Sequence, residues 1–231
     1  MPSTTKTLYF MSSALMTAIS VGVMGYGMST QWAKMTMECA RGGSGLFNGT
    51  AIITLELFNG NLDRAFCPSF GSIDDFQVIP KLMETGVTPV ALYTLVLCLL
   101  ALCLLFSACS ILISLYNSVS NPYETYMGPV GVYTCSSLSA CLSFTVLIIF
   151  VVNVNVTSMA EDLVENFSEA IPVDLRNKST EMQLGYYLVI PYTVLSLFAI
   201  ALIYMYDHAA YKHRREQQRP TEDAPKEIMM Y

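Results

Sequence analysis

PVALYTLVLCLLALCLLFSACSILISLY, Pro89 to Tyr116, runs 28 residues without an Asp, Glu, Lys, Arg or His. A helix rises roughly 1.5 Å per residue, so about 20 residues cross the hydrocarbon core of a bilayer. A helix also pairs its own backbone polar groups, which lipid cannot do for it. Three more runs lack charge: Leu8 to Met28, Gly128 to Val152 and Leu184 to Tyr206. The chain therefore reads as an all-α transmembrane protein, a four-helix membrane bundle with spans near 8–28, 89–116, 128–152 and 184–206.

Composition agrees. Charged residues make up 13% of the 231 and hydrophobic residues 53%, whereas soluble domains carry about 25% charged residues. The membrane domain takes residues 1–207, with outer loops at 29–88 and 153–183, and 208–231 form a cytosolic tail. That leaves no length for a soluble catalytic domain. The first span could instead be a cleaved signal peptide. Its only early base is Lys6 and its apolar run exceeds the roughly 7–15 residues of a signal core, so a retained span is the expectation.

Sequons occur at Asn48, Asn155, Asn166 and Asn177, one between spans one and two and three between spans three and four. In a four-span chain those loops share one side of the membrane. Both loops are then lumenal or extracellular and both termini cytosolic. Lys212, His213, Arg214, Arg215 and Arg219 follow span four, as the positive-inside rule requires. The outer loops hold twelve acids and six bases, so the net charge of −6 resides on the outer side. No basic surface invites nucleic acid. The partners implied are the lipid bilayer and other membrane proteins.

Of seven cysteines only Cys39 and Cys67 lie in an outer loop. An oxidising compartment points to a Cys39–Cys67 disulfide, the alternative being free or separately paired thiols. Thr50 to Phe58 (TAIITLELF) is β-branched and partly alternating, Asn59-Gly60 behind it reads as a turn, and Lys34 to Cys39 also alternates. The first loop is thus expected to form a small disulfide-closed extracellular β-sheet. In the second, Met159, Leu163, Val164, Phe167 and Ile171 recur at helical spacing among Glu161, Asp162, Glu165 and Glu169. Span three should continue outward as an acidic amphipathic helix, with the acids as a solvated face.

The spans contain no ionisable relay of the kind that pumps use. Small residues recur at packing spacing: Ala14, Ala18 and Gly22; Ser107, Ser110 and Ser114; Ser139 and Ser143. Pro191 should kink span four. The only histidines, His208 and His213, have no nucleophile beside them in sequence. Neither a catalytic, cofactor-binding nor metal-binding constellation is legible, and no enzyme is read. Tyr231 and Met229, the last residue and the one two before it, suit a cytosolic PDZ groove; the alternative is a frayed terminus.

The string YNSVSNPYETYMGPVGVY (Tyr116 to Tyr133), Trp32 after span one, Cys39 and Cys67 together resemble the clarin family, claudin-like tetraspan membrane proteins. The likeness runs from MPSTTKTLYF to the tail YKHRREQQRPTEDAP. Glu56-Leu57-Phe58 falls where the family's Gly-Leu-aromatic signature stands, with Glu in place of Gly. The resemblance implies a non-enzymatic plasma-membrane organiser or scaffold acting through lateral protein contacts. Its best-known members are linked to sensory hair cells. Alternatives at the same scale are an accessory subunit regulating a channel and a claudin-like paracellular barrier protein.

Overall fold

The computed structural model describes residues 4–43, 45–67, 72–119, 128–168 and 172–217. Four helices long and apolar enough to cross a membrane dominate it. They are α1 (Thr4–Met28), α3 (Val87–Val119), α4 (Gly128–Val156) and a fourth that divides into α6 (Leu184–Tyr187) and α7 (Val189–Gln217). The division at Leu188 lies three residues before Pro191, whose missing N–H cannot bond the Tyr187 carbonyl. Around the bundle α1 packs on α3 and α7, and α4 packs on the same two.

The described elements between α1 and α3, and between α4 and α6, gather at one end as a cap. Its sheet has five antiparallel strands, β1 (Ala33–Arg41), β2 (Gly49–Leu55), β3 (Asn59–Ala65), β4 (Ser72–Gln77) and β5 (Val173–Met182), in the order β4-β3-β2-β1-β5. Two short helices, α2 (Val78–Thr85) and α5 (Met159–Phe167), pack on each other. Ala33, Met35, Met37, Ala51, Ile53, Leu55 and Leu62 alternate inward, joining one core with Val78, Leu82, Met159, Leu163 and Val164. This is the period-2 burial of a sheet covered on one face. Cys39 and Cys67 form the expected disulfide, with Cα atoms 5.7 Å apart, closing the sheet beside the β1–β2 hairpin.

Several expectations need correction. Asn59-Gly60 is not a turn: Glu56 to Phe58 turn, the Glu56 N–H bonding the Asn59 carbonyl at 2.9 Å, and Asn59 opens β3. Gly60 is required by a neighbour instead, since a Cβ there would come within 2.4 Å of the Phe76 ring across the strand pair. The sheet also draws its fifth strand from the second loop. In α1 the packing face is Phe10, Ser13, Ala14, Thr17, Ser20, Met24 and Gly27, whereas Ala18 and Gly22 face outward. Close helix approach occurs at Gly27, where a Cβ would sit 3.2 Å from Leu188 Cβ, while Gly22 has open space. Ser107, Ser110 and Ser114 of α3 and Ser139 and Ser143 of α4 are buried as expected. The amphipathic extension of span three exists as α5, set off by a break at Thr157-Ser158. Ile171 and Glu169 lie outside the described residues.

Candidate functional site

The cap is anchored to the bundle through aromatic side chains supplied by four different segments. Trp32, between α1 and β1, is fully buried, and its indole Nε1 donates to the Gly27 carbonyl at 2.9 Å. Its ring meets Phe150 of α4 edge-on at 5.1 Å, and Phe150 stacks on Tyr186 at 6.0 Å. Gly185 lies against the indole so closely that a Cβ would fall 2.5 Å from a ring carbon. The Tyr93 hydroxyl, from α3, donates to the carbonyls of Glu56 and Leu57 at 2.8 and 3.1 Å, fixing the β2–β3 turn. Asn153 Nδ2 in α4 donates to the Pro89 carbonyl at 3.3 Å. Buried polar groups without partners cost more than these bonds gain, so the seam holds one geometry.

On the helix-covered face, the Arg64 guanidinium donates to Asp74 at 2.6 Å and to the Phe167 carbonyl at 2.9 Å. Lys81 sits 4.4 Å over the Phe167 ring, and Lys178 of β5 pairs with Glu161 of α5 at 3.0 Å. Glu161 is thus part of a structural pair and not simply a solvated acid. Ser158 Oγ donates to Asp162 at 2.7 Å at the head of the same helix. These contacts weld the second loop to the first. They involve Phe167, which helical spacing marked only as part of an apolar face, and Arg64 and Lys178, which periodicity had no way to single out because each pairs with residues far along the chain.

The sheet's other face is open and polar. It carries Lys34, Thr36, Thr54, Asn61, Asp63 and Asp75, and Asn61 Nδ2 donates to Asp75 at 2.8 Å. A cleft of about 590 Å³ lies on it beside β4, lined among others by Glu56, Asn61, Asp75 and Gln77. At the end of the sheet farther from the bundle, Arg176 stacks over the Phe47 ring at 4.2 Å, next to exposed Asn48.

All four sequon asparagines fall at the cap end. Asn48 is exposed in the β1–β2 hairpin. Asn177 is exposed on edge strand β5 at φ 54°, its Nδ2 donating to Glu38 at 2.8 Å. Asn166 lies half-buried in α5, and Asn155 lies in α4 with Nδ2 donating to the Val151 carbonyl at 3.1 Å. Met229 and Tyr231, Arg219, and most of the α3–α4 linker (residues 120–127) lie outside the described residues.

The bundle interior is polar but uncharged at its middle. Tyr192 of α7 brings its hydroxyl to Ser107 of α3 at 2.8 Å and to Ser139 of α4, and donates to the Cys103 carbonyl at 3.0 Å. Ser110 pairs with Ser136 at 2.9 Å and Ser143 with Thr193 at 2.8 Å. These hydroxyls satisfy one another across helices, which is the role polar groups play as glue in membrane bundles. Cys98 and Cys141 face outward and Cys103 inward. Among the described residues no group of three His, Cys, Asp or Glu side chains is placed to hold a metal ion.

A family profile described as Clarin-2-like matches residues 4–173. Over the full length of both chains, the sequence is 32% identical to mouse Clarin-3 and 30% identical to human Clarin-3. It is 26% identical to human Clarin-1 over 73% of this chain and 75% of that one.

Proposed function

The chain belongs to the clarin family, described as Clarin-2-like, and from that premise we propose that it is a non-enzymatic scaffold of the plasma membrane. In this reading it gathers other membrane proteins by lateral contact. The observation that carries it is the outward face of α1. Ala18 is exposed, and nothing stands within 4 Å of a Cβ built at Gly22 or Gly25. A second helix could approach that backbone closely, where packing and not water expulsion drives association. The hydroxyls of Ser107, Ser110, Ser136, Ser139, Ser143, Tyr192 and Thr193 are meanwhile committed to contacts within the bundle itself. The cap would be extracellular and both termini cytosolic, supported by four sequons at the cap end and by the bases after span four.

Replacing both Gly22 and Gly25 with Leu in the full chain tests the proposal. A Cβ at either position has open space around it and both positions face outward, so expression and thermal stability should stay at wild-type levels. Proximity labelling from the cytosolic tail in native cells should lose a defined subset of membrane neighbours. An unchanged set of neighbours would refute the lateral-contact reading.

A further inference from the structure

The two edges of the cap sheet are built differently. β5 carries Arg176, Lys178 and Glu181, and its register against β1 shifts at Thr36/Glu38, opposite Asn177 in the left-handed region. Charge and a bulge are how proteins keep an edge from pairing further. β4 reads SIDDFQ, without Pro, Lys or Arg, and its register against β3 is unbroken.

The direction of the β4 backbone groups follows from that register. The Val78 N–H bonds the Phe58 carbonyl at 2.9 Å, which makes Phe58 and Val78 a hydrogen-bonded pair. Alternation along an antiparallel ladder then directs Phe76 and Asp74 towards Gly60 and Leu62. Ile73 and Asp75 turn their N–H and C=O groups away from the sheet, and Gln77 turns its N–H away, its C=O being taken by the first turn of α2, of which it is the N-cap. Their side chains are also exposed on the open face, Ile73 at 69%. Two full rungs and the N–H of a third are therefore presented together with the side chains that would read a partner.

We propose that the β4 edge accepts an extended, basic polypeptide segment of a partner protein as a sixth, antiparallel strand. The segment would place Lys or Arg opposite Asp75 and an apolar residue opposite Ile73. Charge decides the occupant. Asp75, Glu56 and Asp63 populate the open face near this edge. The base in the same cross-strand row, Lys34, lies three strands away through Asn61 and Thr54. That distance is roughly 14 Å at strand spacing, beyond the screening length of about 10 Å. A second copy of this chain fits worse, because its own β4 carries no Lys or Arg to set opposite Asp75, and the two-fold register centred on Asp75 sets that carboxylate against itself. Like charges directly opposite destabilise a strand pair. Backbone bonds would supply affinity and the alternate side chains specificity.

This deepens the scaffold reading by naming a surface and a partner chemistry, and its test is separate. The probe is a fluorescent cyclic β-hairpin peptide displaying Thr-Val-Lys-Thr-Val on its free strand, titrated onto the full chain in nanodiscs. A matched hairpin carries Glu for Lys. Wild type should bind the Lys hairpin at least tenfold more tightly than the Glu hairpin, and Asp75→Lys should reverse that order. Asp75→Pro removes the outward N–H, which edge strands tolerate, together with the carboxylate bonded to Asn61, and should abolish binding of both hairpins. Absence of binding to wild type, equal affinity for the two hairpins, or unchanged binding by Asp75→Pro would each overturn the proposal. Asp75→Cys chains that cross-link to each other in nanodiscs would assign the edge to a second copy and overturn it too. A failed hairpin titration leaves the Gly22/Gly25 experiment standing, since that one reads the helix face in cells.

Discussion

Gly185 and Gly22 are both glycines in membrane helices, and the structure assigns them opposite sensitivities. A Cβ on Gly185 would meet the Trp32 ring at 2.5 and 2.6 Å and the Gly27 carbonyl at 2.8 Å. All three belong to a seam with no room to relax, so Gly185→Ala should destabilise by about 1–3 kcal/mol, the cost of overpacking. Gly22→Ala should leave the midpoint of thermal unfolding in detergent unchanged, and equal shifts for the two would contradict the seam. Tyr93→Phe is a second probe of that seam. It strands the Glu56 and Leu57 carbonyls, which the hydroxyl now serves, and should cost about 1–2 kcal/mol in the same assay. At this scale the cysteines were legible because compartment chemistry limits where they pair. The role of Gly60 was not, because Asn-Gly reads as a turn unless the Phe76 ring beside it is known.

β1 lies inside the sheet, flanked by β2 and β5, and it follows directly from α1. Its alternation with β2 made both strands readable. β5 escaped because the bulge at Asn177 switches which parity of residue faces the core: Val173 and Leu175 before it, Lys178, Thr180 and Met182 after it. A period-2 reading fails across such a phase change. β3 and β4 escaped because Asn, Gly and Asp are poor strand formers, held here by neighbours and not by propensity. The register of β4 can be checked by hydrogen exchange. Amides of Asp74 and Phe76 should be protected while those of Ile73, Asp75 and Gln77 exchange quickly, and uniform protection would mean that the edge is already covered. The disulfide acts at the same scale. Cys39→Ser and Cys67→Ser should each lower cap stability by about 2–4 kcal/mol, with the double mutant no worse than either. Additive losses in a denaturant titration would show that each thiol matters for another reason.

Across the whole molecule, both loops enter one sheet, so the cap ties spans one and two to spans three and four. α1 runs into β1, and β5 runs into α6. The start of α1 and the end of α7 must therefore lie together at the opposite end of the bundle. The hydropathy of the spans made this arrangement legible; which side faces the cytosol rests on sequons and basic residues. Those sequons differ in what they offer a glycosylating enzyme. Asn48 and Asn177 are exposed outside helices, whereas Asn155 is wound into α4, its amide donating to the Val151 carbonyl at 3.1 Å. Glycosidase treatment should shift the wild-type band on a gel. Asn48→Gln combined with Asn177→Gln should remove most of that shift, and Asn155→Gln should remove none. Epitope tags at both termini should stain only after permeabilisation. A tail tag accessible on intact cells would invert the orientation and place the cap and its β4 edge in the cytosol, where the disulfide would be hard to maintain.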